Sequence, residues 1–157
     1  MRFLAIPEDV PRAREAIREQ LAVLDVGDQV LANVSVAVTE AVGNVVRHAY
    51  RNQPDPGDFE IKTTLTDDTI TIAVRDKGCG PIPNPDSEGI HMGIPLMSAL
   101  ADTFSIEGEP GQGTSVRMTF SINEGVPVRH VSQSRLRRSE SRGFSPSASG
   151  RPSAHPS

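Results

Sequence analysis

One stretch, Leu31 to Tyr50 (LANVSVAVTEAVGNVVRHAY), constrains the fold of this chain more than any other. Leu31, Val34, Val38, Ala41, Val42 and Val45 recur at three- and four-residue steps, the period of one buried helix face. Glu40, Asn44 and His48 lie four apart and line a neighbouring face of the same helix. A carboxylate and a carboxamide stacked one turn apart admit two readings: a polar row facing solvent, or a pair of groups aimed at a ligand. The E-x-x-x-N spacing alone favours the first, and the remainder of the chain has to decide.

A length of 157 residues suggests a single folded unit able to bury about two-thirds of its unfolded surface. Only 4% of the residues are aromatic and none is Trp, so the core must rest on Val, Ile, Leu and Ala. Residues 1–122 hold 10 Lys and Arg against 18 Asp and Glu, a balance of −8, whereas residues 123–157 hold 6 against 2, a balance of +4. An acidic body argues against direct nucleic-acid binding by the folded part. Cys79 is the single cysteine, which excludes an intrachain disulfide and a Cys-rich zinc site. No uninterrupted apolar run approaches the roughly 20 residues that cross a bilayer, and the start of the chain is too charged for a signal peptide. The expectation is a cytoplasmic protein without a membrane partner.

Arg2 to Ile6 reads as a short strand ended by Pro7. Ala13, Ile17, Leu21 and Leu24 predict an amphipathic helix over 11–24, with Pro11 tolerated in its first turn. Residues 25–28 separate it from the long helix, and Asp28 is the expected N-cap. RNQPDPGD, 51–58, is a loop. Two alternating segments, 59–65 and 70–74, predict an antiparallel hairpin turned at 66–68. DKGCG, 76–80, closes the second strand and opens a long loop. A helix over 92–100 follows, with Pro95 in its first turn, then strands at 104–106 and 115–120 joined by GEPGQGT. Residues 123–157, rich in Ser, Arg, Pro and Gly, cannot recover the entropy of ordering and read as a disordered basic tail. This order gives an α+β fold, helices layered on one face of a mostly antiparallel sheet, over a domain of residues 1–122.

Four separated signals occur in order: Glu40-x-x-x-Asn44 on the long helix, Asp76-x-Gly78-x-Gly80 at a strand end, Met92-Gly93 opening a helix, and Gly113-Thr114 before the last strand. Each alone is weak, since D-x-G-x-G is often only a turn. Together they resemble the ATP-binding domain of the GHKL superfamily (the Bergerat fold), and the small size narrows this to the anti-sigma-factor serine/threonine protein kinases. The resemblance covers residues 1–122. It implies a two-layer sandwich on a mixed, mostly antiparallel sheet, with ATP and Mg²⁺ as cofactors. Asn44 would be the Mg²⁺ ligand and Glu40 the catalytic group that accepts the proton of, or orients, the attacking hydroxyl. Asp76 would accept a hydrogen bond from the adenine amino group, with Thr114 adding a hydroxyl near the base. Gly78 and Gly80 would let the backbone approach the nucleotide, and Met92 and Gly93 would open a helix whose N–H groups face the phosphates. The partners implied are a sigma factor and a STAS-type anti-anti-sigma protein, and the same resemblance implies a homodimer.

The residues also depart from that pattern. His91 stands where the family commonly has the first glycine of a G-x-G pair, and no Lys or Arg occurs between Gly78 and Thr114. A phosphoryl-transfer site uses cations to offset charge on the γ-phosphate. The remaining candidates are Mg²⁺, backbone dipoles, a protonated His91 or a partner's side chain. Arg47, Arg51 and Lys77 read as surface charges, His48 as a histidine at the helix end, and Cys79 as a small filler residue. Two functions stay open on these grounds. One is a kinase that phosphorylates the anti-anti-sigma protein and sequesters the sigma factor. The other is a non-catalytic module whose 81–92 loop is gated by ATP.

Overall fold

The structure, a computed structural model, describes residues 1–24, 26–51, 53–80 and 90–122, and for residues 90–92 the backbone alone. The expected basic tail and most of the 81–92 loop lie outside these residues. Five strands, β1 (Arg2–Leu4), β2 (Asp58–Leu65), β3 (Thr69–Asp76), β4 (Thr103–Gly108) and β5 (Thr114–Ser121), form one sheet in the order β1-β2-β3-β5-β4. Three helices accompany it: α1 (Asp9–Leu21), α2 (Asp28–Asn44) and α3 (Ile90–Leu100). All four strand pairings are antiparallel, so the α+β fold is as expected while its sheet is less mixed than the resemblance implied.

Alternation along the strands sorts the sheet into two faces. Phe59, Ile61, Ile70, Ile72, Val74, Met118 and Phe120 are buried towards the helices. Glu60, Lys62, Arg75 and Arg117, at the intervening positions, are exposed. Register carries this across strands: Ile61 pairs with Val74, and Ile72 with Met118. On the other side, Ile17 and Leu21 of α1, Val34, Ala37, Val38, Ala41 and Val42 of α2, and Met97 of α3 complete the core. The apolar stripe of the long helix is therefore consumed by the sheet.

Several boundaries move for identifiable reasons. The first helix starts at Asp9 and ends at Leu21, where the Leu24 N–H turns back to the Leu21 carbonyl. Asp9 itself, only 6% exposed, accepts the Leu4 N–H at 2.8 Å and holds Arg12 at 3.0 Å, tying β1 to α1. Asp28 is not the N-cap: Gly27 occupies that position, and Asp28 stands in the first turn, where its charge suits the helix dipole. The third helix begins two residues early, which puts Pro95 past the first turn and removes one helix hydrogen bond. The long helix does not finish as an α-helix. Beyond Asn44 it widens into a π-helical turn, Val45–Ala49.

With that turn the helix runs 22 residues, Asp28–Ala49, long and apolar enough by length and composition to cross a membrane. Val34, Ala37, Val38, Ala41, Val42, Val45 and Ala49 on it are buried in the core, while Val36 is exposed. Truncating the shared core should be costly: Ile72→Ala is expected to lower stability by about 2–5 kcal/mol, measured by urea denaturation. A loss under 1 kcal/mol would contradict the packing described.

Candidate functional site

The polar row of α2 meets the start of α3. A Cβ added at Gly93 would come within 2.9 Å of Glu40 Oε2 and 3.4 Å of Asn44 Nδ2, so a side chain there would push the Glu40 carboxylate aside. Glu40, Asn44 and Gly93, named from separate motifs, are thus brought together. Met92 lies in the same helix, but its side chain is outside the described residues, as is that of His91.

Arg47 joins them. Its Nη2 donates to Asn44 Oδ1 at 3.1 Å and lies 3.9 Å from Glu40 Oε2. Its guanidinium also passes 3.3 Å from where a Gly43 Cβ would be. The side chain is 56% exposed, so it is a surface charge as expected, but it is not an isolated one. The signal was available in the sequence: residue 47 follows Asn44 by three and Glu40 by seven, spacings that return to one helix face. What was missing was a reason to place the cation on that helix instead of in the 81–92 loop.

In this structure Asn44 Oδ1 accepts from the Arg47 guanidinium, so an ion held there would take the place of that donor. Among the described residues, no cluster of three or more His, Cys, Asp or Glu could hold a metal alone. The donor set therefore fits Mg²⁺, a hard ion that accepts a single protein oxygen and fills its shell with phosphate oxygens and water. A caged transition metal would not fit.

The second half of the site lies at the end of β3. Asp76 is 9% exposed, and its Oδ1 accepts the Gly78 N–H at 2.9 Å and the Thr114 N–H at 3.2 Å. Both backbone donors converge on one oxygen, so the backbone leaves the second oxygen to other partners. Burial pushes the Asp76 carboxyl above its usual value, opposed by hydrogen bonds from the Gly78 and Thr114 N–H groups and from the Thr114 hydroxyl. Gly113, at φ 84°, carries the chain past Asp76 in a conformation that side chains rarely adopt, and a Cβ there would lie 2.1 Å from the Asp76 carbonyl oxygen. Gly80 lies against Glu109 in the turn between β4 and β5.

These two halves share one helix. The Ala49 carbonyl accepts the Cys79 N–H at 2.8 Å, and the His48 carbonyl accepts the Cys79 thiol at 3.3 Å. A Cβ on Gly78 would lie 2.1 Å from the Ala49 carbonyl oxygen. Helix C-termini leave carbonyls without intrahelical donors, and here the loop after Asp76 supplies them. Cys79 is a small packed residue as expected, with the added task of capping this helix. His48 contributes its carbonyl to that cap, while burial, then Arg47 and Arg51, hold its imidazole below the ordinary value.

Comparison with known proteins can now be set beside this geometry. Residues 3–120 match the family profile of the histidine kinase-like ATPase domain. The chain is 33% identical over 132 residues to the anti-sigma F factor of Clostridium beijerinckii, spanning 77% of this chain and 92% of that protein. This chain belongs to the histidine kinase-like ATPase family, on its anti-sigma-factor branch. The anti-sigma F factor of Bacillus licheniformis is 29% identical over 136 residues, covering 79% of this family member and 92% of the relative. Among solved structures, the RsbU and RsbW domains of a Mycobacterium tuberculosis protein superpose with TM-score 0.59 at 22% identity, over 76% of this chain and 31% of that one. A blue-light-activated histidine kinase of Erythrobacter litoralis gives 0.50 at 19% identity, over 60% and 45%. At these identities the two structures speak for the fold alone.

The buried carboxyl generates a test with a defined sign. Asp76 has a folded pKa raised above 3.8, so the stability tied to its protonated form is present below that value and lost as pH rises through the raised one. Asp76→Asn keeps an oxygen for both N–H groups and removes the charge. It is expected to melt above the parent protein at neutral pH, with the gap closing towards about pH 4. Thermal melts across that range check it. A variant that melts lower at every pH would show that burial is not what the carboxylate suffers.

Proposed function

We propose that this chain is an ATP-dependent serine protein kinase of the anti-sigma type. It would phosphorylate a seryl hydroxyl on an anti-anti-sigma protein of the STAS type, and sequester a sigma factor when that protein is unavailable. The observation that carries the reading is the convergence of Glu40, Asn44, Arg47 and Gly93 across the α2–α3 contact. The names of the anti-sigma F factor relatives support the sigma-factor partner, and the STAS-type partner rests on the resemblance of the motifs.

In this reading the nucleotide base lies at the Asp76–Thr114 end, where the second carboxylate oxygen would accept from the adenine amino group. The phosphates extend towards the polar row of α2. Asn44 would hold Mg²⁺ through Oδ1, and the ion when bound supplies charge neutralisation on the phosphate oxygens. Arg47, freed from Asn44 as the nucleotide enters, would offset further phosphate charge. Glu40, one turn away, would accept the proton of the incoming serine or orient its hydroxyl. Gly93 would keep the space in front of both groups open.

A non-catalytic module gated by ATP drew its support from a site without a cation. Arg47, whose guanidinium stands 3.1 Å from Asn44 Oδ1, offers a cation on α2 in place of one in the 81–92 loop and so supports the kinase reading over it. The folded unit proposed for the activity is residues 1–122, in a cytoplasmic setting.

Glu40→Gln is expected to lower transfer of labelled phosphate to the anti-anti-sigma protein by about 10²- to 10⁴-fold while leaving ATP affinity nearly unchanged. Arg47→Ala is expected to weaken ATP more than adenosine, because the lost contact is to phosphate. Wild-type protein that binds ATP yet labels no serine on any sigma-factor antagonist would remove the kinase reading.

A further inference from the structure

Tyr50 follows directly after the π-helical turn and is outside every motif so far used. Its hydroxyl donates to the Asp58 carbonyl and accepts the Lys77 N–H at 3.0 Å. The β2–β3 ladder ends at the pair Phe59 and Asp76. One step further in the same register, the next pair would be Asp58 and Lys77. The hydroxyl therefore stands between the two backbone groups that an additional rung would join, as a one-atom spacer. Its ring lies against Gly57, where a Cβ would come 2.0 Å from the ring carbon Cε1. Burial raises the phenol above its ordinary value of 10.0, so the hydroxyl keeps its proton and can donate.

Three consecutive residues thus hold the loop that follows Asp76. His48 and Ala49 take Cys79 by their carbonyls, and Tyr50 takes Lys77 by its hydroxyl. The backbone on the carboxyl side of Asp76 is pinned at 77 and at 79. Asp76 Oδ1 is in turn bound to the N–H of residue 78, between these two pins.

We propose that Tyr50 is a positioning residue for nucleotide-base recognition: its hydroxyl stops the β2–β3 ladder at Asp76 and so aims the second carboxylate oxygen at the base. This rests on the reading of Asp76 as the base acceptor. Without the hydroxyl, Lys77 either pairs directly with Asp58 or loses its partner. In both cases the loop turns from a different point and the carboxylate tilts with it. Discrimination between a 6-amino and a 6-oxo purine then falls, while the phosphate end, built on Asn44, Arg47 and Gly93, is untouched.

The test measures equilibrium binding of ATP, GTP and inorganic tripolyphosphate to the full chain and to Tyr50→Phe, which keeps the ring against Gly57. ATP is expected to weaken about fivefold, the scale of one lost hydrogen bond, with the ATP-to-GTP preference falling by a similar factor. Tripolyphosphate affinity should be unchanged. A merely structural tyrosine would lower the melting temperature but leave the ATP-to-GTP ratio of the folded protein as it was, and that result overturns the proposal. Wild-type protein with no preference for ATP over GTP overturns the base reading and the proposal together; a wild-type preference kept intact in the variant overturns the proposal alone. A second measurement needs no variant. Tyr50 is the single tyrosine and the chain has no tryptophan, so ultraviolet fluorescence reports this ring alone. ADP should change that signal and tripolyphosphate should not; equal responses, or none to ADP, overturn the proposal.

Discussion

The end of the long helix fixes more of this protein than any other contact. A helix C-terminus leaves carbonyls without donors, and here the loop after β3 provides them. The Cys79 N–H goes to Ala49 and the Cys79 thiol to His48. Since β3 is a central strand and α2 the central helix, this capping joins the two layers at the place where both must be positioned. The same bonds fix the loop that carries Gly78 and Gly80. A structural need, satisfying helix carbonyls, and a functional one, holding a ligand loop, are met by the same atoms.

From that joint the site divides into two ends along one helix. Towards its middle, α2 presents Glu40, Asn44 and Arg47 to the opening of α3, where Gly93 leaves room. At its end, through the π-helical turn, it holds the Asp76 loop. Distances between the two ends are set by a single rigid element, so a ligand bridging them meets a fixed span. The exposed Arg47–Glu40 pair at 3.9 Å adds little stability on its own, so the guanidinium can leave it at small cost. Asp76 differs: it is buried, its carboxyl is pushed up by that burial, and two N–H groups hold its Oδ1 in place.

Much of the fold was legible because period and punctuation are local properties. The alternation in 59–65 and 70–74 gave the hairpin and its face, and the three- and four-residue steps of Val34, Val38, Ala41, Val42 and Val45 gave the buried stripe of α2. Errors fell where one residue's geometry depends on its distant neighbours. Asp28 looked like a cap because its residue type suits one, yet the turn before it put Gly27 in that place. Arg47 is the surface charge it looked like, but its bond to Asn44 shows only once the helix is built.

Sequence alone determined the order of elements, the apolar faces that join the layers, and the residue types offered to a ligand: Glu40, Asn44, Asp76, Gly93 and Thr114. These follow from periodicity and side-chain chemistry, which act over a few residues. Tertiary structure alone decided that Gly93 faces Glu40 and Asn44, that Arg47 supplies a cation beside them, that the long helix ends in a π-turn, and that Tyr50 separates the strands after Asp76. Each of these depends on contacts between elements far apart in the chain. No local pattern encodes such a contact, because its geometry exists only after the layers have packed.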